Sequence, residues 1–157
     1  MAEATTVPTL FEWAGGLPAF EKLTAIFYAK VPHDSLLAPV FGAISPEHAN
    51  RVGHFIAEVF GGPPLYTQAR GGHATMIHEH LNRRLSEAQR QRCFDLLCQS
   101  ANEAGFPADP EFRSAFVAYL EWGTRIAAIT SQQGGDESPD TPMPRWGWGV
   151  PGGPYRP

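Results

Sequence analysis

The sequence predicts an all-α domain, and three observations predict it. Helix-start chemistry recurs: Ser45-Pro46-Glu47, Ser86-Glu87-Ala88-Gln89 and Asp109-Pro110-Glu111 each set a capping side chain ahead of proline or of a capping-box partner. The apolar residues behind these starts repeat at i, i+3, i+4 and i+7, the period of a half-buried helix. No stretch alternates apolar and polar residues convincingly with the period of a strand.

The elements follow in order. Thr9 to Trp13 reads as a short first turn, ended by Gly15-Gly16. Pro18 suits the opening of a helix on which Phe20, Leu23 and Phe27 fall at helical spacing with Tyr28 beside them, and Pro32 stops it. Ser35 to Val40 reads as one short turn leading into Phe41-Gly42. The helix begun at Ser45 carries the stripe Val52, Phe55, Ile56, Val59 and Phe60, with His48 one turn earlier, and ends at Gly61-Gly62-Pro63-Pro64. A loop of turn residues is expected from there to Gly72. In Gly71–Leu81, helical spacing puts Met76 and His80 on one face with His73 and Ile77. The Ser86 capping box opens a helix bearing Cys93, Leu96, Leu97 and Ala101, closed by Gly105 and Pro107. The last helix carries Phe112, Phe116, Tyr119, Leu120 and Ile126 and runs to near Ile129.

Composition changes at residue 131. Residues 131–157 hold six prolines and six glycines, which argues against a packed core of their own. Met143, Trp146, Trp148 and Tyr155 would be wasted in a bare linker, so Pro142–Tyr155 is expected to dock on the domain or on a partner subunit. The expected division is a helical domain over 1–130 and a Pro/Gly/Trp-rich C-terminal extension over 131–157, whose aromatics are compatible with a homodimer.

At 157 residues and 43% hydrophobic, the chain can bury a sizeable core. Its net charge of −4 offers no basic stripe for nucleic acid. No segment approaches the roughly 20 apolar residues of a membrane span, and the N-terminus lacks the pattern of a secretion signal. Cys93 and Cys98 are the only cysteines, five apart and on different faces of one helix. Reduced thiols in a cytoplasmic location are therefore expected.

Two apolar helical faces each bear a histidine: one carries His48 and Val52, the other Met76 and His80. Facing one another, they would enclose a flat apolar slot with an imidazole on each side, which suits a porphyrin needing one axial nitrogen. Tyr28 adds a buried phenol in want of a hydrogen-bond partner. A zinc site at His73, His78 and His80 is the weaker alternative, because ligands separated by one residue do not share a helical face.

The chain resembles the truncated haemoglobins, most closely their second group. The resemblance rests on Ala25-Ile26-Phe27-Tyr28-Ala29-Lys30-Val31, Val40-Phe41, Phe60-Gly61-Gly62-Pro63, Tyr66, Arg70-Gly71-Gly72-His73 and His80-Leu81, the last thirteen residues before Cys93. It covers roughly residues 9–130. It implies a two-over-two helical sandwich around haem b (iron protoporphyrin IX). By position it makes His80 the proximal iron ligand and Tyr28 the distal ligand-binding tyrosine. Phe41 becomes the aromatic packed on the haem, His48 and Val52 the distal-helix positions facing the ligand, and Met76 part of the proximal wall.

Three departures stand out. Cys93 occupies a position where the second group has Trp, a bulkier and better donor. Losing one donor costs on the order of 1–2 kcal/mol, roughly tenfold in ligand retention, so faster oxygen release is expected unless His48 compensates. Leu81-Asn82-Arg83-Arg84-Leu85 lacks the family's Pro- and Phe-rich pattern, and the 131–157 extension is long. Arg70, His73, His78 and Arg83 are candidates for the haem propionates. The resemblance implies binding of oxygen or another diatomic ligand. A haem-dependent oxidoreductase (a nitric oxide dioxygenase or peroxidase-like enzyme) fed by an external reductase is the close competitor. A haem-free globin-fold interaction or sensor module is the alternative.

Overall fold

The structure is a computed structural model. It describes residues 7–42, 44–80, 83–132 and 142–149, with the side chains of Ala74, Ile77 and His78 left out. The expectations for His78 and Tyr155 therefore lie outside the described residues. The described residues are mostly helical, and none is in a strand.

The helices are α1 (Leu10–Ala14), α2 (Leu17–Lys30), α3 (Ala38–Phe41), α4 (Pro46–Val59), α5 (Leu65–Arg70), α6 (His73–His80), α7 (Glu87–Glu103) and α8 (Pro110–Ser131), with a 3-10 turn at Val31–His33. The starts are local chemistry. Thr9, Ser45, Ser86 and Asp109 each accept a backbone N–H of their helix's first turn, and at Ser86 both halves of the capping box form.

The expected loop between Gly62 and Gly72 is instead largely helical, as α5. Its stabilising partner is distant in sequence: the buried carboxylate of Glu58, on α4, accepts from both the backbone N–H and the hydroxyl of Thr67. Gly71 then ends α5 at a φ of +95°, a conformation open to glycine at little cost.

Two helix pairs form two layers: α2 crosses α4, α7 lies along α8, and the layers meet where α2 packs on α7. α6 rests on α8. Phe20, Phe60, Phe106, Phe112 and Phe116 form the centre, mostly edge to face, as in Phe20–Phe60 at 5.6 Å. Residues 142–149 lie against this body. The Trp146 backbone N–H donates to Val59 O at 2.8 Å, and Trp148 Nε1 donates to Pro8 O at 2.8 Å.

The α2–α4 crossing depends on Gly53. A Cβ there would lie 2.8 Å from Thr24 Oγ1 and 3.0 Å from Phe20 O. Gly53→Ala would gain about 1 kcal/mol of helix propensity, but the buried backbone of α2 has to retreat. We expect a net loss of about 1–3 kcal/mol, read as a lower urea midpoint at unchanged slope.

Asp34 fixes the corner that carries α3. It accepts from the backbone N–H of Leu36 and Leu37, and from Arg92 Nε on α7 at 2.5 Å. Burial works against its charge, but Arg92 and the two N–H groups outweigh it, so its pKa falls below the usual carboxylate value. A depressed folded-state pKa stabilises at pH above the unfolded value and loses that stabilisation as pH falls through the folded value. Asp34→Ala should cost about 1–3 kcal/mol at neutral pH, with Arg92 discounted because it is partly exposed. The gap between variant and wild type should close below about pH 4 in acid denaturation.

Candidate functional site

One cavity runs between the layers, about 890 Å³ including its open mouth, and its lining is mostly apolar. Each wall follows from a helix face already described. α2 contributes Tyr28, α3 Phe41, α4 Val52, α6 Met76 and His80, and α7 Cys93. The structure thus brings together Tyr28, Phe41, Val52, Met76, His80 and Cys93, with His73, while His48, Arg70 and Arg83 do not line the cavity. The His48 ring stands edge-on to Tyr28 at 6.0 Å, half-buried, and does not line the cavity itself.

His80 is held by its own helix. Its Nδ1 lies 2.8 Å from Met76 O. A carbonyl only accepts, so Nδ1 carries the proton and Nε2 keeps its lone pair. Burial pushes the His80 pKa below its ordinary value, against the opposing pull of that hydrogen bond. The group is a neutral imidazole in a fixed tautomer, the form in which histidine binds a metal.

Tyr28 and Cys93 remain protonated for the same physical reason. Burial, with Cys93 and Glu79 nearby, raises the Tyr28 phenol well above its ordinary value, against Arg83. Burial pushes the Cys93 thiol up to about 12, against Arg90. Both are therefore donors at working pH. For His48, burial lowers the pKa, Glu79 opposes it, and Arg51, Arg83 and Arg70 add to the lowering. Cys93 and Cys98 are both free thiols.

Of the candidates for a carboxylate partner, Arg83 is otherwise engaged and His73 is packed between aromatic rings. Arg83 donates to Val40 O and Glu79 O and lies over the Phe41 ring at 5.8 Å, so it braces the α3 corner against the end of α6. His73 lines the cavity, stacked on Phe55 at 6.1 Å and 6.0 Å from Trp122. Burial lowers its pKa, the nearby Pro142 backbone opposes this and His80 adds to it, and its Nδ1 is buried without a hydrogen-bond partner.

The reading of the sequence passed over other residues. Arg51 Nε and Tyr66 Oη are buried without a partner. Burial pushes the Tyr66 phenol up to about 12, with Glu79 adding to the rise and Arg70 and Arg51 opposing it. Arg51 sits one turn after His48, and that spacing was the available signal. The floor comes from α8, where Gly123 and Ala127, four apart, leave room beside Tyr119 and Trp122. Buried Arg90 on α7, paired with Glu87, donates to Thr124 and anchors this stretch.

An apolar slot, one neutral imidazole and two protonated donors suit a flat apolar group with one axial bond; the unpartnered Arg51 and Tyr66 atoms lie outside the cavity lining. Among the described residues no three His, Cys, Asp or Glu side chains cluster to hold a bare metal ion.

Known proteins resemble this chain in sequence and fold. The chain is 39% identical over 59 residues to a group 1 truncated haemoglobin of Nostoc commune, covering 37% of this chain and 50% of the relative. It is 35% identical over 66 residues to a group 2 truncated haemoglobin of Bacillus subtilis, covering 42% and 49%. It thus spans about half the length of the curated relatives it matches. Among solved structures, the haemoglobin of Chloroflexus aurantiacus superposes with a TM-score of 0.68 at 29% identity, over 76% of this chain and 97% of that one. The group II truncated haemoglobin of Bacillus anthracis superposes with a TM-score of 0.70 at 24% identity, over 78% and 92%, a likeness of fold. The bacterial-like globin model matches residues 9–122. With most of its length matched and its two helix layers superposing on the truncated two-on-two haemoglobins, the chain belongs to the bacterial-like globin family.

Proposed function

We propose that the cavity binds haem b through His80 Nε2 and that the chain takes oxygen or another diatomic ligand there. The observation that carries this reading is the His80 Nδ1–H···O=C bond to Met76, which leaves an unprotonated nitrogen on a residue of the cavity wall. Bound haem would supply an open coordination position and one-electron chemistry.

The protein's own parts in this reading are distinct. Phe41, Val52 and Met76 exclude water and wedge the ring in place. Tyr28 Oη donates a hydrogen bond to the ligand, Cys93 Sγ–H donates a weaker one, and His48 stands behind Tyr28. Arg51 and Tyr66 take the acidic edge, where their unpartnered atoms would otherwise remain a cost of burial. Polar donors around a diatomic ligand also serve redox turnover of nitric oxide or peroxide, with electrons from an external reductase. Residues 1–130 form the binding domain, and 131–157 an extension whose segment 142–149 is seated on it. The free thiols suit a cytoplasmic setting, and no described helix is long and apolar enough to cross a membrane.

The test is the absorption spectrum of the purified chain after haem addition, ferric, dithionite-reduced and carbon monoxide-treated. A Soret band that shifts with carbon monoxide is the expected result. A chain that stays colourless with haem present would point to a haem-free interaction module instead.

The extension carries its own prediction. A chain ending at Gln132 loses Trp146 and Trp148 with their bonds to Val59 and Pro8. We expect its melting temperature to fall by several degrees, corresponding to about 1–3 kcal/mol. An unchanged melting curve would mean the seated segment adds nothing to stability.

A further inference from the structure

A line of aromatic rings leads from the cavity to the surface, and the binding of a small ligand does not use it. Tyr119 and Trp122 both line the cavity. Trp122 lies 6.3 Å from Tyr119 and 6.0 Å from His73, ring centre to ring centre. Trp146, from the seated segment, closes on both, 5.8 Å from Trp122 and 5.5 Å from Tyr119.

The indoles in this molecule divide into two kinds. Trp13 Nε1 donates to Asp109 and Trp148 Nε1 to Pro8 O, so both are structural pins. The Trp122 N–H makes no hydrogen bond among the described residues, and the side chain is 36% exposed while still touching the cavity. An indole is among the side chains most easily oxidised by one electron. At the surface its proton can leave to water, which the buried Tyr119 phenol lacks. Packing alone would be met by any apolar group here and does not ask for an exposed indole.

We propose that Trp122, backed by Trp146, is a surface oxidation site at which phenols too bulky for the cavity give up electrons to hydrogen peroxide reduced inside. The proposal rests on the haem reading above. One peroxide accepts two electrons and two protons and leaves as two waters. Each electron is drawn from the Trp122 indole, which releases its N–H proton. Trp122 then regains one electron and one proton from a phenol, which leaves as a phenoxyl radical. Two phenols are consumed per peroxide.

The test uses the haem-loaded full chain, verified by its Soret band, with hydrogen peroxide as oxidant and a bulky substituted phenol as reductant. Without the phenol, peptide mass spectrometry should find oxidised Trp122 and Trp146, with Trp13 unmodified. With it, Trp122→Phe should lower bulky-phenol oxidation several-fold more than it lowers turnover of a small phenol, both rates taken per haem bound as read from the Soret band. Trp146→Phe should lower it less, and Trp13→Phe should match wild type. Equal oxidation of Trp13, or unchanged bulky-phenol turnover in both Trp122→Phe and Trp146→Phe, overturns the relay alone. A chain that takes up no haem overturns the relay together with the reading beneath it.

Discussion

His80→Ala is expected to give a folded, helical chain that has lost its haem. In the proposed reading the side chain would supply the bond to haem iron and little else: its Nδ1–H bond to Met76 O stays within one helix, and no other hydrogen bond of the ring is found among the described residues. Removing an outer partner of a metal ligand costs roughly 10–100-fold in metal affinity, and removing the ligand itself should cost more. Haem titration followed at the Soret band should show weakened uptake, and far-ultraviolet circular dichroism should stay helical. His80→Gly with added imidazole separates loss of the nitrogen from damage to the fold, because the free base can enter the space and restore the band. A Soret band of normal position and affinity in His80→Ala would mean that another residue ligates the iron, with His48 the next imidazole to test.

Helix starts were legible because their chemistry is local. Ser45, Ser86 and Asp109 cap groups three residues away, so the sequence holds donor and acceptor side by side. α5 was not legible for the opposite reason: its buried support, Glu58, reaches it from the preceding helix. The cavity divides the same way. Met76 and His80 declare a shared face by their spacing, Tyr28 showed itself as a buried phenol beside Phe27 and took its distal role from the family resemblance, and Phe41 and Cys93 came from that resemblance alone. Arg83, a candidate for a carboxylate by sequence, is instead spent on Val40 O, Glu79 O and the Phe41 ring. Trp122 gave no sign, because one exposed aromatic on a long amphipathic helix looks like any surface residue until His73 and Trp146 are seen against it.

Tyr28→Phe should speed release of a bound diatomic ligand while leaving the fold intact. The hydroxyl makes no hydrogen bond among the described residues, so its removal breaks no structural link there, and the ring keeps its edge-to-face contact with Phe27 at 4.9 Å. What is lost is a donor that burial keeps protonated. One such bond is worth about 1–2 kcal/mol, roughly tenfold in the release rate. Stopped-flow displacement of oxygen by carbon monoxide on the reduced, haem-loaded chain reads it directly. Because the phenol pKa is raised, its proton is retained as pH rises, so the wild-type rate should stay flat to at least about pH 9. Cys93→Trp runs the other way. The thiol is a weak donor facing free space, and an indole there would bring an N–H and bulk toward the ligand, slowing release by a similar factor. If both donors serve one ligand atom, the effect of Tyr28→Phe should shrink in the Cys93→Trp background, a coupling that a double-mutant cycle measures. Strictly additive effects would assign the two side chains to separate parts of the cavity, and an unchanged rate in Tyr28→Phe alone would remove the phenol from the ligand's reach.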